Sequence, residues 1–176
     1  QGLTLYAEAN KYFARAVILG ENYLFLRYPG FDVWLNNGPD KRIKFGNNDV
    51  EALYWLAAAY GGAVSSSRGD PEWVIQLPKV GKLLDNALAI EPNWNYGSLY
   101  SAMIPYTLSR PDASINASEV AEGYYRKALV ASGGNDLGPH VSFAENVLIA
   151  SQKRSEFVRL LTLVLEYNDR GIRELE

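Results

Sequence analysis

Apolar residues recur along this chain at helical spacing. Ala9, Tyr12, Phe13, Ala16 and Val17 stand at i, i+3, i+4, i+7 and i+8, one stripe of an amphipathic helix. Val80, Leu83, Leu84, Ala87 and Leu88 repeat that spacing, as do Ala121, Tyr124, Tyr125, Ala128 and Leu129. Phe157, Leu160, Leu161, Val164 and Leu165 make a fourth stripe. The pattern predicts helices over 4–19, 22–28, 49–66, 71–90, 95–108, 117–131, 139–151 and 154–168. Strand signals are nearly absent; the nearest is the short alternating run Phe31-Asp32-Val33-Trp34-Leu35.

The first three stripes place an alanine at the same i+7 position: Ala16, Ala87 and Ala128. A small residue at a fixed place lets a neighbouring helix approach closely. Recurrence of such a unit is the signature of stacked helix hairpins, and the later interval is one padded version of the ~34-residue tetratricopeptide period. The earlier interval is longer, and the Gly-, Pro- and Asn-rich stretch from Tyr28 to Asn48 reads as an irregular insertion. The fold expected is therefore all-α, built of antiparallel helix hairpins of tetratricopeptide-like type, in a single domain over 1–176.

Local boundary signals agree with this list. Asn48 with Glu51, and Asn116 with Glu119, have the spacing of capping boxes. Asp70-Pro71 places an N-cap acceptor before a first-turn proline. Gly20, Gly61 and Gly133 fall where helices should stop. In "SGGNDLGPH" the glycine pair is explained as a helix end, and Pro139 as the start of the next helix. Neither phosphate-loop glycine pattern is present.

Composition removes several functions. Of 176 residues, 48 % are hydrophobic and 21 % charged, an ordinary globular balance, and no run is long and apolar enough to span a membrane. The net charge of −3 advertises no nucleic-acid partner, and the densest basic run, Lys41-Arg42-Ile43-Lys44, reads as a solvated loop. The chain has no cysteine, which excludes disulfides, thiolate metal sites and a cysteine nucleophile, and suits an oxidising compartment. The opening residue is Gln1, as in a processed mature form or a trimmed chain.

Catalytic chemistry is equally restricted. His140 is the only histidine, so a paired-histidine metal site is excluded, and no nucleophile-elbow motif surrounds a serine. His140 reads as a hydrogen-bonding residue near a helix terminus rather than a base. Acidic residues such as Glu8, Asp85 and Glu145 give no convergent pair by spacing. No motif for a cofactor or a metal is present.

Aromatic residues change the picture more. They make up 12 % of the chain, with twelve Tyr and four Trp. Tyr54 and Trp55 are adjacent, so on a helix they point about 100° apart and cannot share a narrow stripe. Trp94, Tyr96, Tyr100 and Tyr106 follow in one later segment. Such rings line pockets and interfaces as well as cores. After Pro139, Ser142, Glu145 and Asn146 stand at i, i+3 and i+4 and share a helix face. A hydroxyl, a carboxylate and an amide are the few placed polar groups that orient a ligand in an otherwise apolar cavity. The ligand-binding set expected is Trp55, Tyr96 and Tyr100 as aromatic wall, with Ser142, Glu145 and Asn146 as polar trio.

The segments "DVEALYWLAAAY", "YYRKALVASGGNDLGPHVSFAENV" and "FVRLLTLVLE", in that order, resemble the T component associated with TRAP transporters, the TatT-like family. The likeness runs from about Tyr6 to Leu165. It implies tetratricopeptide-like hairpins and export to the periplasm, commonly as a lipoprotein. It also implies a homotrimer working with the periplasmic solute-binding subunit, and a small organic or apolar ligand passed through a cavity. A lipid-bearing cysteine is not among these residues, so anchoring would rest on a segment preceding Gln1. The function expected is a non-enzymatic accessory subunit of TRAP-type transport. The alternatives are a general tetratricopeptide adaptor without ligand and a small hydrolase using Glu145 and His140.

Overall fold

The computed structural model describes residues 2–36, 43–110 and 112–167, and among them the regular structure is helical with no strand. Helix α1 runs Gly2–Arg27 and α2 Phe31–Asn36. A 3-10 turn, Asn47–Asp49, leads into α3, Val50–Ser66. The short α4, Pro71–Val74, precedes α5, Leu77–Ile90. Then come α6, Trp94–Ser109, and α7, Ala117–Ser132. Helix α8, Gly138–Phe143, passes into a π-helical turn, Ala144–Leu148, before α9, Arg154–Glu166.

These helices pack as pairs: α1 on α3, α3 on α5, α5 on α6, and α6 on α7. The α1–α3 contacts run in opposite chain directions. Asn10 Nδ2 donates to the Ala63 carbonyl at 2.9 Å near one end, and Arg27 Nε lies 2.7 Å from Asp49 Oδ1 near the other. Between them Phe13 lies over Gly62, where a Cβ would meet its ring at 2.3 Å, and Gly20 lies against Leu56. Glycine at these places is the means of close helix approach, not a stop signal.

Two apolar clusters hold the structure. The larger joins α1, α2, α3, α5 and α6 through residues such as Leu24, Trp34, Leu53, Leu84 and Met103. The smaller joins α6 through Ile104 to Ala121, Phe143, Leu148 and Leu160. Helix α6 therefore faces both, with Leu99, Met103 and Tyr106 in one cluster and Ile104 in the other. Its entry is unusual: Asn95, Tyr96 and Gly97 all have positive φ. A Cβ on Gly97 would lie 2.7 Å from that of Ala131 and 3.3 Å from the Ala128 carbonyl. Ala128 thus lies where two helices come close, as its place in the repeat predicted, and Ala87 is fully buried in the larger cluster.

Several expectations need correction. Ala16 is exposed, so the first stripe is rotated away from the core. The residues of α1 that meet the protein include Asn10, Phe13, Ala14, Val17, Gly20, Glu21 and Leu24, because apolar residues lie on more than one side of this helix and α3 takes only one. The helices expected over 4–19 and 22–28 are one continuous helix that ends at Arg27, and Gly20 and Gly61 lie inside helices. The predicted 71–90 helix breaks between Val74 and Leu77. "FDVWL" is helix α2, whose Phe31, Trp34 and Leu35 are buried at helical spacing. Neither capping box forms: Asp49 rather than Asn48 precedes α3, and Asn116 makes no side-chain cap bond. Asp70 does cap its helix, accepting from the Glu72 amide at 2.9 Å, and Gly133 ends α7 at φ 61°. Lys41 and Arg42 of the basic run lie outside the described residues; Lys44 is exposed.

Candidate functional site

The clearest polar group set in an apolar wall lies where α1, α3 and the α4–α5 junction meet. Val17 and Glu21 share the inner face of α1, since they are four residues apart. Tyr60 projects from α3, and Lys79 from the first turn of α5. With Glu72, Trp73, Ile75 and Gln76 they line a cleft of about 560 Å³. Trp73 comes from α4 and Ile75 from the break between α4 and α5.

The polar groups form a chain. Tyr60 donates its hydroxyl proton to Glu21 Oε1. Lys79 Nζ donates to the Tyr60 hydroxyl oxygen at 3.2 Å and lies 5.2 Å from the ring centroid, a cation–π position. Lys79 Nζ and Glu21 Oε1 are 3.9 Å apart, at the limit of an ion pair. Burial lowers the Lys79 ammonium from its ordinary value, opposed by the Glu21 charge. Burial also raises the Tyr60 phenol, reinforced by its bond to Glu21, so Tyr60 stays neutral and relays between cation and anion. A half-buried ammonium against Val17, Trp73 and Ile75 suits an acid with an apolar body.

The six residues expected from the sequence lie elsewhere, and none lines this cleft. Trp55 is 58 % exposed, with its ring edge-on to Tyr54 at 5.0 Å; Tyr54 in turn meets Trp94 at 4.9 Å. Tyr96 is 73 % exposed, turned outward by its left-handed backbone. Tyr100 is half-buried beside Tyr124, with Lys127 Nζ 5.7 Å from its ring. Glu145 is exposed, while Asn146 is half-buried and donates to the Ser142 carbonyl at 2.8 Å. Ser142, Glu145 and Asn146 thus belong to the α8 region, which packs on α6, α7 and α9, whereas Trp55 belongs to α3.

His140 is buried, and its Nδ1 lies 2.7 Å from the Tyr125 hydroxyl. Burial lowers its pKa, with Asp136 raising it and Arg159 lowering it further. This is a structural hydrogen bond beside the stacked Tyr125–Phe143 pair. Glu21, Tyr60 and Lys79 escaped the sequence reading because they come from three segments. The only signal was Glu21 set within the apolar α1, which spacing alone cannot connect to Lys79.

Among the described residues no helix is long and apolar enough to cross a membrane. No curated protein matches the chain. A family model described as the TRAP transporter T-component matches residues 4–170, nearly the whole length, and the chain belongs to that family.

Proposed function

We propose that this chain is a non-enzymatic periplasmic subunit of a TRAP-type transport system, working as a trimer of tetratricopeptide-like hairpins. It docks the solute-binding subunit and holds a small organic acid in the cleft of Glu21, Tyr60 and Lys79. The observation that carries the reading is the family match over residues 4–170, since the T-component is an accessory to TRAP transport. The cleft adds the chemistry: Lys79 would meet the carboxylate, Val17, Trp73 and Ile75 the apolar body. Glu21 and Tyr60 would hold the ammonium in place when the cleft is empty. A second ligand surface is proposed at Trp55, Tyr96, Tyr100, Ser142, Glu145 and Asn146. Its support is the linked ring cluster of Tyr54, Trp55 and Trp94.

The test is binding of a TRAP-type solute-binding subunit from the same genome, together with titration calorimetry of a medium-chain monocarboxylate. Capture of that subunit, and acid binding weakened at least tenfold by Lys79→Met, are expected. Capture without any acid binding would replace the reading by an adaptor without ligand. Failure to capture the subunit would overturn the transport role.

A further inference from the structure

Helix α1 has more apolar surface than its own chain covers. Its inner face, Asn10, Ala14, Val17, Glu21 and Leu24, advances in alternating steps of four and three and meets α3. On the opposite side Leu5, Ala9, Tyr12, Ala16, Leu19, Tyr23 and Leu26 advance by the same alternation over three heptads. That is the a/d spacing of a helix-packing seam. Apart from the half-buried Ala9, each of these side chains is exposed, Tyr12 at 72 % and Leu26 at 82 %.

We propose that this outer seam packs against the α1 of a second copy of the chain. It rests on the reading above only in taking the chain to self-associate. Three observations choose that occupant. First, a heptad seam is buried by a helix bearing a matching seam, and α1 supplies one to its own copy. Second, small Ala9 and Ala16 alternate with large Leu5, Tyr12 and Leu19, which lets backbones approach and side chains interdigitate. A lipid surface would gain nothing from that alternation. Third, Leu5, Tyr12, Leu19, Tyr23 and Leu26 are each 50–82 % exposed, a continuous apolar face about 30 Å long that the chain itself leaves uncovered, as at a protein interface. Its rim carries Glu8 and Arg15, one charge of each sign, so two copies meet without net repulsion. Ala16 also acquires its reason here: the close neighbour that its small size admits comes from outside the chain.

The test is the mass of the full chain by sedimentation equilibrium at high micromolar concentration, for wild type, Leu19→Glu and Val130→Glu. Val130 is an exposed residue of α7 and serves as the control. Wild type and Val130→Glu should be oligomeric, and Leu19→Glu should weaken association at least a hundredfold with an unchanged helical spectrum. Because the chain has no cysteine, Tyr12→Cys, Ala16→Cys and Leu19→Cys supply a second readout that needs no destabilising charge. At least one should give a disulfide-linked pair on mild oxidation. A monomeric wild type overturns the proposal. So does an oligomer that Leu19→Glu leaves intact, or the lack of any cross-link. Flotation of a monomeric chain on phosphatidylglycerol–phosphatidylcholine vesicles, lost in Leu19→Glu, would also overturn it. An oligomer of two chains would refute the trimer and leave the seam standing.

Discussion

On α5, Val80, Leu83, Leu84 and Ala87 are each no more than 5 % exposed. On α1, a stripe of the same spacing leaves Tyr12, Phe13 and Ala16 exposed and buries only Val17. The two helices differ in neighbours rather than in local sequence rule. Helix α5 lies among α2, α3 and α6, which enclose its one apolar stripe. Helix α1 packs against α3 and α2 and has apolar residues on opposite sides. Periodicity locates a helix and counts its apolar faces. Which face a chain buries depends on how many neighbours the helix has.

Substitutions on the two helices sharpen this contrast. The largest effect should come from Leu84→Ala on α5, which removes a fully buried side chain and should cost about 2–5 kcal/mol by urea unfolding. Leu19→Ala on α1, measured on the dilute chain, should stay within about 0.5 kcal/mol. A comparable loss at both positions would break the contrast. Next, Ala87→Leu should overpack the core and cost about 1–3 kcal/mol. Ala16→Leu should leave the dilute chain within about 0.5 kcal/mol of wild type.

A smaller effect concerns the second cluster. Burial lowers His140 in the folded chain, so the fold favours its neutral form. That stability is present above the unfolded value of ~6.5 and is lost as pH falls through it toward the folded value. The Asp136 carboxylate acts against this shift and Arg159 with it. The urea midpoint of wild type should therefore fall between pH 8 and pH 5.5 by more than that of His140→Gln. Equal falls would remove His140 from the account. The smallest stability effect is expected at Glu145, exposed at the α8 end: Glu145→Ala should leave the urea midpoint unchanged. Any change in monocarboxylate binding would then report on the second proposed ligand surface alone.

Much of the helical order was legible in the sequence. The stripes of α5 and α7 have one apolar face each, and the start of α4 at Asp70 and the end of α7 at Gly133 are set by residues that act locally. Errors arose where tertiary packing decides. Glycine tolerates helix termini, so Gly20 and Gly61 look like stops in the sequence, but both lie inside helices and Gly20 lets α1 lie against Leu56. "FDVWL" looks alternating over five residues, too short a window to separate period 2 from 3.6, and its helix is held by burial of Phe31 and Trp34. The cleft of Glu21, Tyr60 and Lys79 was illegible because three helices from distant parts of the chain create it. The family resemblance, by contrast, rested on ordered local segments and needed no folding.

The central claim is that α1 has two packing faces, one for its own chain and one for another. Thermal melting of Leu24→Ala and Leu26→Ala at low and high protein concentration tests it most directly. Leu24 faces α3 and is fully buried, whereas Leu26 lies on the outer seam. The account predicts that Leu24→Ala lowers Tm at both concentrations. It predicts that wild-type Tm rises with concentration, because association stabilises the folded chain, and that Leu26→Ala removes that rise while matching wild type when dilute. A Leu26→Ala chain that loses the same Tm at both concentrations, or a wild-type Tm independent of concentration, would contradict it.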